Sequence, residues 1–144
     1  MLVALDAFGL RSVTVAVREP ARAGALLELA DELLLEVDVV HLGDIAHIAD
    51  GADVVAWTLP NGVALPGEVP EEVRRASVAL DVTYHPWPGP LATQWLAVDG
   101  AVASGRDMLL HQAVRQVRFF VSGQTESPLE REDEVAAAME AALA

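Results

Sequence analysis

Five short apolar runs, separated by stretches with helical periodicity, most constrain what this chain can fold into. The runs are Val13–Val17, Val37–Leu42, Asp53–Trp57, Val78–Val82 and Ala101–Ala103. They are apolar on both faces, which is typical of strands in a parallel sheet that helices cover on each side. The sequence therefore predicts an α/β fold with a doubly wound, mostly parallel sheet and helices on both faces.

The helical stretches differ in how clearly they begin and end. The clearest is predicted over Asp107–Ser122, with Gly123 placed to end it. The apolar face of this helix is predicted to comprise Leu110, Ala113, Val114, Val117, Phe120 and Val121. A last helix is predicted to open at Ser127-Pro128, where Glu130 would complete a capping box.

The first residues indicate what the sheet lacks. Met1–Leu5 lies too close to the strand at Val13 for a parallel crossover, which needs a dozen or more residues. It is predicted to be the tail of a helix that ends near Gly9. The fold would then be truncated at its N-terminus and lack a central strand, which leaves two open sheet edges. We expect the strands beside this gap to pair directly, or the chain to form a homodimer through it.

Composition excludes several classes of function. The 144 residues suit one domain, here a single but partial domain over residues 1–144, and the net charge of −13 argues against nucleic acid and anionic membranes as partners. No apolar run approaches the roughly 20 residues of a membrane span, so a cytoplasmic protein is expected. The chain has no cysteine and no lysine, which excludes thiolate chemistry and a lysine acid, base or Schiff base. The four histidines have no ligand spacing, so no metal site is expected.

A proline-dense loop follows the fourth strand, from Asp81 to Pro90. In an open α/β sheet the ligand crevice lies outside the carboxyl ends of the strands, so this loop is the predicted site. Asp81 itself fits two roles, because its carboxylate can bind a ribose hydroxyl or cap local amides.

Two motifs in this region resemble the C-terminal part of the shikimate dehydrogenase family. Asp81-Val82-Thr83-Tyr84-His85-Pro86 with Pro90-Leu91 is similar to the family's D-x-x-Y-x-P and T-P-L, with Gly89 in place of threonine. The segment Gly105-Arg106-Asp107-Met108-Leu109-Leu110-His111-Gln112 is similar to G-x-x-M-L-x-x-Q. The segments 59–63 and 17–19 resemble more weakly the family's T-P-x-G-M loop and its Asn-Arg-Thr motif.

The resemblance implies a Rossmann-like fold and a part of an oxidoreductase that uses NADPH to reduce 3-dehydroshikimate to shikimate, in aromatic amino acid biosynthesis. It places Arg18 and Arg22 at the adenosine 2′-phosphate of NADP. It places the 58–63 loop beneath the nicotinamide ribose. The nicotinamide ring would be bordered by Val82, Gly105 and Met108. Tyr84 and Gln112 would contact a shikimate-like substrate. The cofactor-binding residues are thus Arg18, Arg22, Thr58, Leu59, Pro60, Asn61, Gly62, Val63, Val82, Gly105 and Met108.

Departures from the family's pattern leave two interpretations open. The glycine-rich pyrophosphate loop and the catalytic lysine and aspartate are absent, so this chain supplies no catalytic residue and is expected to be inactive by itself. Glu19 would repel a 2′-phosphate, and an acid near the end of this strand favours a ribose hydroxyl, as in NAD enzymes. The chain is either the cofactor half of an enzyme or a non-catalytic module that binds a nucleotide or a protein.

Overall fold

A computed structural model describes residues 1–60 and 63–143, apart from the side chain of Ile48. These residues form two compact units. The first comprises Met1–Ala52 and Leu65–Val73, and the second comprises Asp53–Ala64 and Arg74–Ala144. Each unit is described by itself, and the single partial domain expected over residues 1–144 stays a prediction.

The first unit contains a two-stranded parallel sheet. Its elements are α1 (Leu2–Ala7), β1 (Ser12–Val17), a 3₁₀ turn at Pro20–Arg22, α2 (Gly24–Glu32), β2 (Glu36–His41), a 3₁₀ turn at Leu42–Asp44 and α3 (Ile45–Ile48). In the register of the two strands, Ser12 lies opposite Glu36 and Val17 lies opposite His41. The helix predicted at the N-terminus is confirmed, and Gly9 follows it with φ +79°, a conformation that glycine adopts without steric cost.

Apolar residues from α1, α2 and the strands form the core of the first unit. Leu2, Ala30 and Leu35 are buried together, and Val13 and Val15 of β1 pack against them. Successive side chains of a strand point to opposite faces, so Val13 and Val15 share one face of the sheet. Burial of this face against α1 and α2 explains why the N-terminal segment is helical and not a further strand.

The second unit contains a three-stranded parallel sheet in the order β3-β4-β5. Its elements are β3 (Val54–Trp57), β4 (Val78–Asp81), α5 (Pro90–Leu96), β5 (Ala101–Ser104), α6 (Gly105–Ser122) and α7 (Glu132–Leu143). Helix α4 (Glu71–Ala76) lies between β3 and β4 in sequence and crosses the boundary of the two units. Parallel sheets with helices on both sides confirm the predicted α/β class.

Helix α5 fills the core of the second unit. Leu91 and Trp95 are fully buried, and the indole Nε1 of Trp95 donates a hydrogen bond to the carbonyl of Ser77 at 3.2 Å. Arg74 and Arg75 donate through Nη1 to the carbonyls of Gln94 and Val98, each at 2.8 Å. The last carbonyls of a helix have no partner within the helix, so cationic donors stabilise this end of α5.

The two sheets share no hydrogen-bonded strand pair in the part of the chain that the structure describes. The expectation that the strands beside the gap pair directly is therefore wrong. An antiparallel or parallel pair forms only where backbone donors and acceptors of two strands face each other, and the ladders found here are β1 with β2 and β3 with β4 and β5. Homodimer formation through the gap stays a prediction.

Helix α6 begins at Gly105, two residues before the predicted Asp107, and ends at Ser122 as predicted. The Ser104 side chain accepts a hydrogen bond from the Asp107 amide at 3.1 Å, and Asp107 accepts one from the Ser104 amide at 3.2 Å, so a capping box closes the first turn. Gly123 ends the helix with φ +74°, as predicted. Phe120 and Val121, at the end of the predicted apolar face, are 81% and 71% exposed.

Helix α7 begins later in the chain than the sequence pattern predicted. The helix begins at Glu132 and not at Ser127-Pro128, and Arg131 before it has φ +60°. Glu132 fixes this start, because its Oε2 accepts a hydrogen bond from the Leu129 amide at 3.1 Å. Arg118 of α6 also binds Glu132, with Nε and Nη2 each 2.6 Å from a carboxylate oxygen. The bidentate pair joins α7 to α6, an interaction between distant segments that local capping signals do not contain.

The Arg118–Glu132 pair predicts a specific pH dependence of stability. The hydrogen bond from Arg118 is the main reason that the pKa of Glu132 falls from 4.5 to about 2. Because the folded state holds this proton less tightly than the unfolded state, the stabilisation is fully present above about pH 4.5 and is lost as the pH falls towards 2. In urea unfolding, the stability difference between the unmodified chain and Glu132→Gln should shrink over that interval.

Glu130→Gln is the matched control for this measurement. Glu130 is exposed and has no hydrogen bond or ion pair with the described residues. Its replacement should leave the pH profile of the unfolding free energy unchanged. A difference between the unmodified chain and Glu132→Gln that stays constant from neutral pH to about pH 2 would contradict the assignment.

Candidate functional site

The candidate site lies at the carboxyl edge of the β3-β4-β5 sheet. Trp57 of β3 lies opposite Asp81 of β4, which lies opposite Ser104 of β5. The strands are parallel, so the segments that follow these three residues leave the sheet at the same edge. They are the 58–63 loop, the 82–90 loop and the first turn of α6. The resemblance had assigned cofactor or substrate contacts to all three segments.

Asp81 holds the proline-dense loop in place. Its side chain is fully buried, and its Oδ1 accepts a hydrogen bond from the Thr83 amide at 3.0 Å. Its Oδ2 accepts one from the Ala92 amide in the first turn of α5 at 3.1 Å. Gly89 is the N-cap residue of α5 but has no side chain that could accept a hydrogen bond from the first amides of the helix. The carboxylate of Asp81, at the end of β4, accepts that hydrogen bond instead. Of its two predicted roles, the structure supports the capping of local amides.

The position of the Asp81 carboxylate also explains why residue 89 is a glycine. A Cβ built at Gly89 would overlap the carboxylate of Asp81. Thr93 then donates its hydroxyl to the Gly89 carbonyl at 2.8 Å. The glycine that replaces the family's threonine is thus part of the packing around Asp81. The peptide bonds His85-Pro86 and Trp87-Pro88 within this loop are both cis.

A close backbone contact places α6 against the end of β4. A Cβ at Gly105 would overlap the carbonyl of Val82 and lie 2.9 Å from the carbonyl of Thr83. Only glycine allows the first turn of α6 to approach the strand this closely. The contact brings Val82 and Gly105, both assigned to the nicotinamide ring, next to each other.

Met108 and Gln112 lie on the same face of α6 as Gly105, because positions three, four and seven residues apart stack along a helix. Met108 is 38% exposed and Gln112 is exposed. Tyr84, in the loop after β4, is 56% exposed. Neither Tyr84 nor Gln112 has a hydrogen-bond partner among the described residues, so both side chains present free polar groups to solvent at this edge.

The loop after β3 is only partly described. Thr58 and Pro60 are exposed, Leu59 and Val63 are half-buried, and the Val63 amide donates to the Pro60 carbonyl at 3.3 Å. Asn61 and Gly62, also assigned to this loop, lie outside the described residues.

The two predicted phosphate ligands belong to the first unit and differ in their surroundings. Arg18 directly follows β1, is exposed, and has no ion pair with the described residues. Arg22 lies in the 3₁₀ turn, and its Nη1 is 3.6 Å from Oε2 of Glu19. Both side chains of that pair are largely exposed, so the pair is weak. Arg18 is therefore the freer of the two cations.

The remaining polar residues show no metal centre. The described residues hold no cluster of three or more His, Asp or Glu side chains that would bind a metal ion. His41 uses its Nδ1 to accept a hydrogen bond from the Gly43 amide at 3.0 Å.

No helix in the described part of the chain has the length and apolar content to cross a membrane.

Comparison with known proteins shows which solved structures the chain resembles. No protein-family model matches the sequence, and no curated protein matches it. Among solved structures, the shikimate dehydrogenase of Mycobacterium tuberculosis matches with a TM-score of 0.74 and 33% identity, over 99% of this chain and 51% of that chain. The shikimate 5-dehydrogenase of Mycobacterium fortuitum matches with a TM-score of 0.74 and 29% identity, over 96% and 49%.

A third match is the quinate dehydrogenase of Corynebacterium glutamicum, solved in complex with NAD, with a TM-score of 0.71 and 24% identity over 96% of this chain and 49% of that chain. At that identity the likeness shows the fold alone. The chain thus spans about half the length of the structures it matches.

The parallel sheets, the flanking helices and the loops at the carboxyl edge define a Rossmann-like α/β protein. Nearly the whole chain is similar to about half of each of two solved shikimate dehydrogenases, which is consistent with the C-terminal part of such an enzyme.

Replacement of Asp81 should destabilise the second unit. Asp81→Ala leaves the buried amides of Thr83 and Ala92 without acceptors, so the free energy of unfolding should fall by about 2–4 kcal/mol. Asp81→Asn keeps one carbonyl oxygen and should lose less. Urea unfolding followed by tryptophan fluorescence measures both losses. Equal stability of Asp81→Ala and the unmodified chain would refute the capping role.

Replacement of Gly105 tests the close contact with Val82. Gly105→Ala forces α6 away from β4 and should cost about 1–3 kcal/mol of unfolding free energy. Gly24→Ala is the control, because a Cβ at Gly24 meets no atom within 4 Å. This control should keep or slightly raise stability, since alanine is the better helix former. If both variants unfold at the same urea concentration, the close contact is not what requires glycine.

Proposed function

We propose that this chain is the C-terminal, NADP-binding part of a shikimate dehydrogenase-like oxidoreductase. In the intact enzyme, the reaction is the NADPH-dependent reduction of 3-dehydroshikimate to shikimate. The observation that carries the proposal is the assembly of Val82, Tyr84, Gly105, Met108 and Gln112 at one edge of the β3-β4-β5 sheet. These are the motif positions for which the family resemblance implies contact with cofactor or substrate.

The residues at this edge fit a nicotinamide ring. Val82 and Met108 offer apolar surface on either side of the Gly105 contact, and Met108 is exposed enough to meet a flat ring. An apolar surface beside a few directional polar groups is the usual form of a cofactor site. The 58–63 loop leaves the adjacent strand, which agrees with its proposed place beneath the nicotinamide ribose. The cofactor would supply the hydride.

The substrate end of the proposal depends on Tyr84 and Gln112. A phenol hydroxyl and a carboxamide offer both donors and acceptors, which suit the hydroxyl and carboxylate groups of a shikimate-like acid. Both side chains lack partners among the described residues and are exposed. They would bind and orient the substrate, and the acid–base group would come from a part of the enzyme outside this sequence, because the chain has no lysine.

Preference for NADP over NAD depends on Arg18. A guanidinium group binds a phosphate through two parallel hydrogen bonds, and Arg18 has no competing ion pair with the described residues. Glu19 favours the NAD alternative, since its charge repels a 2′-phosphate. The pair between Glu19 and Arg22 partly offsets that charge and supports NADP as the first choice.

The second candidate is a non-catalytic module that derives from this family and binds a nucleotide or a protein. The absence of lysine and of a glycine-rich loop from the 144 residues favours it.

Calorimetric titration with NADP⁺ and NAD⁺ tests the proposal. The chain should bind both, with NADP⁺ preferred. Arg18→Ala should weaken NADP⁺ binding about tenfold or more and leave NAD⁺ binding nearly unchanged, because only the former carries the 2′-phosphate.

Arg115→Ala is the control for a general loss of positive charge, since Arg115 pairs with Glu126 away from this site. Equal binding of the two nucleotides, unaffected by Arg18→Ala, would favour the NAD alternative. The absence of heat with either nucleotide would reject cofactor binding by this chain and favour the module that binds a protein.

A further inference from the structure

A cavity lies in the second unit, beside the first turn of α6 and the last turns of α7. Its volume is about 310 Å³, at the lower end of the roughly 300–1,000 Å³ of small-molecule sites. Its walls are formed by Trp87, Ser104, Arg106, Asp107, Leu110, Glu140 and Leu143.

The cavity lies on a different face of α6 from the proposed cofactor and substrate residues. Arg106 and Leu110 are four residues apart and share one stripe of the helix. At 100° per residue this stripe lies well away from the one that carries Met108 and Gln112. No residue assigned to cofactor or substrate lines the cavity.

Two opposite charges in the cavity wall have no partner. Neither the half-buried residue Arg106 nor the exposed residue Glu140 has a hydrogen bond or ion pair with the described residues. Ser104 and Asp107 are already engaged, since the Ser104 hydroxyl donates to Asp107 at 2.8 Å within the capping box. Arg106 and Glu140 are therefore the polar groups available to a ligand.

The charge of the wall decides which kind of ligand fits. One arginine faces two carboxylates, those of Asp107 and Glu140, so a simple anion such as a phosphate would meet net repulsion. A zwitterion would place its carboxylate at Arg106 and its ammonium group at Glu140. Trp87, Leu110 and Leu143 supply an apolar surface for the rest of the molecule.

We propose that this cavity binds a free amino acid with an apolar side chain. Arg106 binds the carboxylate, Glu140 binds the ammonium group, and Trp87 with Leu143 contacts the side chain. Glu140 and Leu143 are three residues apart and lie on the same face of α7, so one helix face supplies both contacts. The site is independent of the cofactor residues and stands whether or not the chain binds a nucleotide.

Nuclear magnetic resonance of the ¹⁵N-labelled chain tests the proposal. L-leucine, L-methionine and L-phenylalanine are titrated separately, with N-acetyl-L-leucine and L-leucinamide as analogues that lack the ammonium or the carboxylate charge. At least one amino acid should give saturable shifts at the Trp87 indole and at the amides of Arg106 and Glu140. Both analogues should bind about tenfold more weakly, because each loses one charge-assisted contact.

Two variants and one control complete the test. Arg106→Gln and Glu140→Gln should each weaken binding of the amino acid about tenfold or more, while Arg115→Gln on the same helix should not. Circular dichroism confirms that each variant is folded. The proposal is overturned if none of the three amino acids gives saturable shifts, if the analogues bind as well as L-leucine, or if both variants bind normally.

Discussion

The buried carboxylate of Asp81 is the interaction on which the candidate site depends. It ends β4, accepts the amide of Thr83 in the loop and accepts the amide of Ala92 in α5. One side chain thus joins a strand, a loop and a helix, and it excludes any side chain at Gly89. A buried carboxylate would be costly without these hydrogen bonds, so the loop that carries Tyr84 is held in the one conformation that satisfies it.

The contact between Gly105 and Val82 is the second constraint at this edge. It brings α6 against the end of β4 and so fixes which face of α6 points toward the loops. One face then carries Met108 and Gln112, while another carries Arg106 toward the cavity near α7. The bidentate pair of Arg118 and Glu132 joins α7 to α6 and thereby fixes the wall that contains Glu140. Two separate surfaces of one helix follow from these contacts.

Much of the fold could be predicted from the sequence because its signals are local. Apolar runs such as Val13–Val17 gave the strands, and Gly123 marked the end of α6. The motif spacing also predicted that Tyr84 and Gln112 would lie at one sheet edge. Phe120 and Val121 belong to the predicted apolar face but are exposed, since helical periodicity identifies an apolar face but not whether another element covers it. The predicted start of α7 was wrong because Glu132, which accepts the Leu129 amide and is bound by the distant Arg118, fixes it.

The sequence by itself determined the α/β class, the resemblance to shikimate dehydrogenases and the chemical groups at the candidate site. Strand patterns and short motifs are properties of neighbouring residues, so they can be read without coordinates. Only the tertiary structure decided that Asp81 caps α5, that Gly89 and Gly105 must lack a Cβ, and that Arg106 and Glu140 line one cavity. These features depend on atoms that are far apart in the chain and meet only when the strands and helices pack.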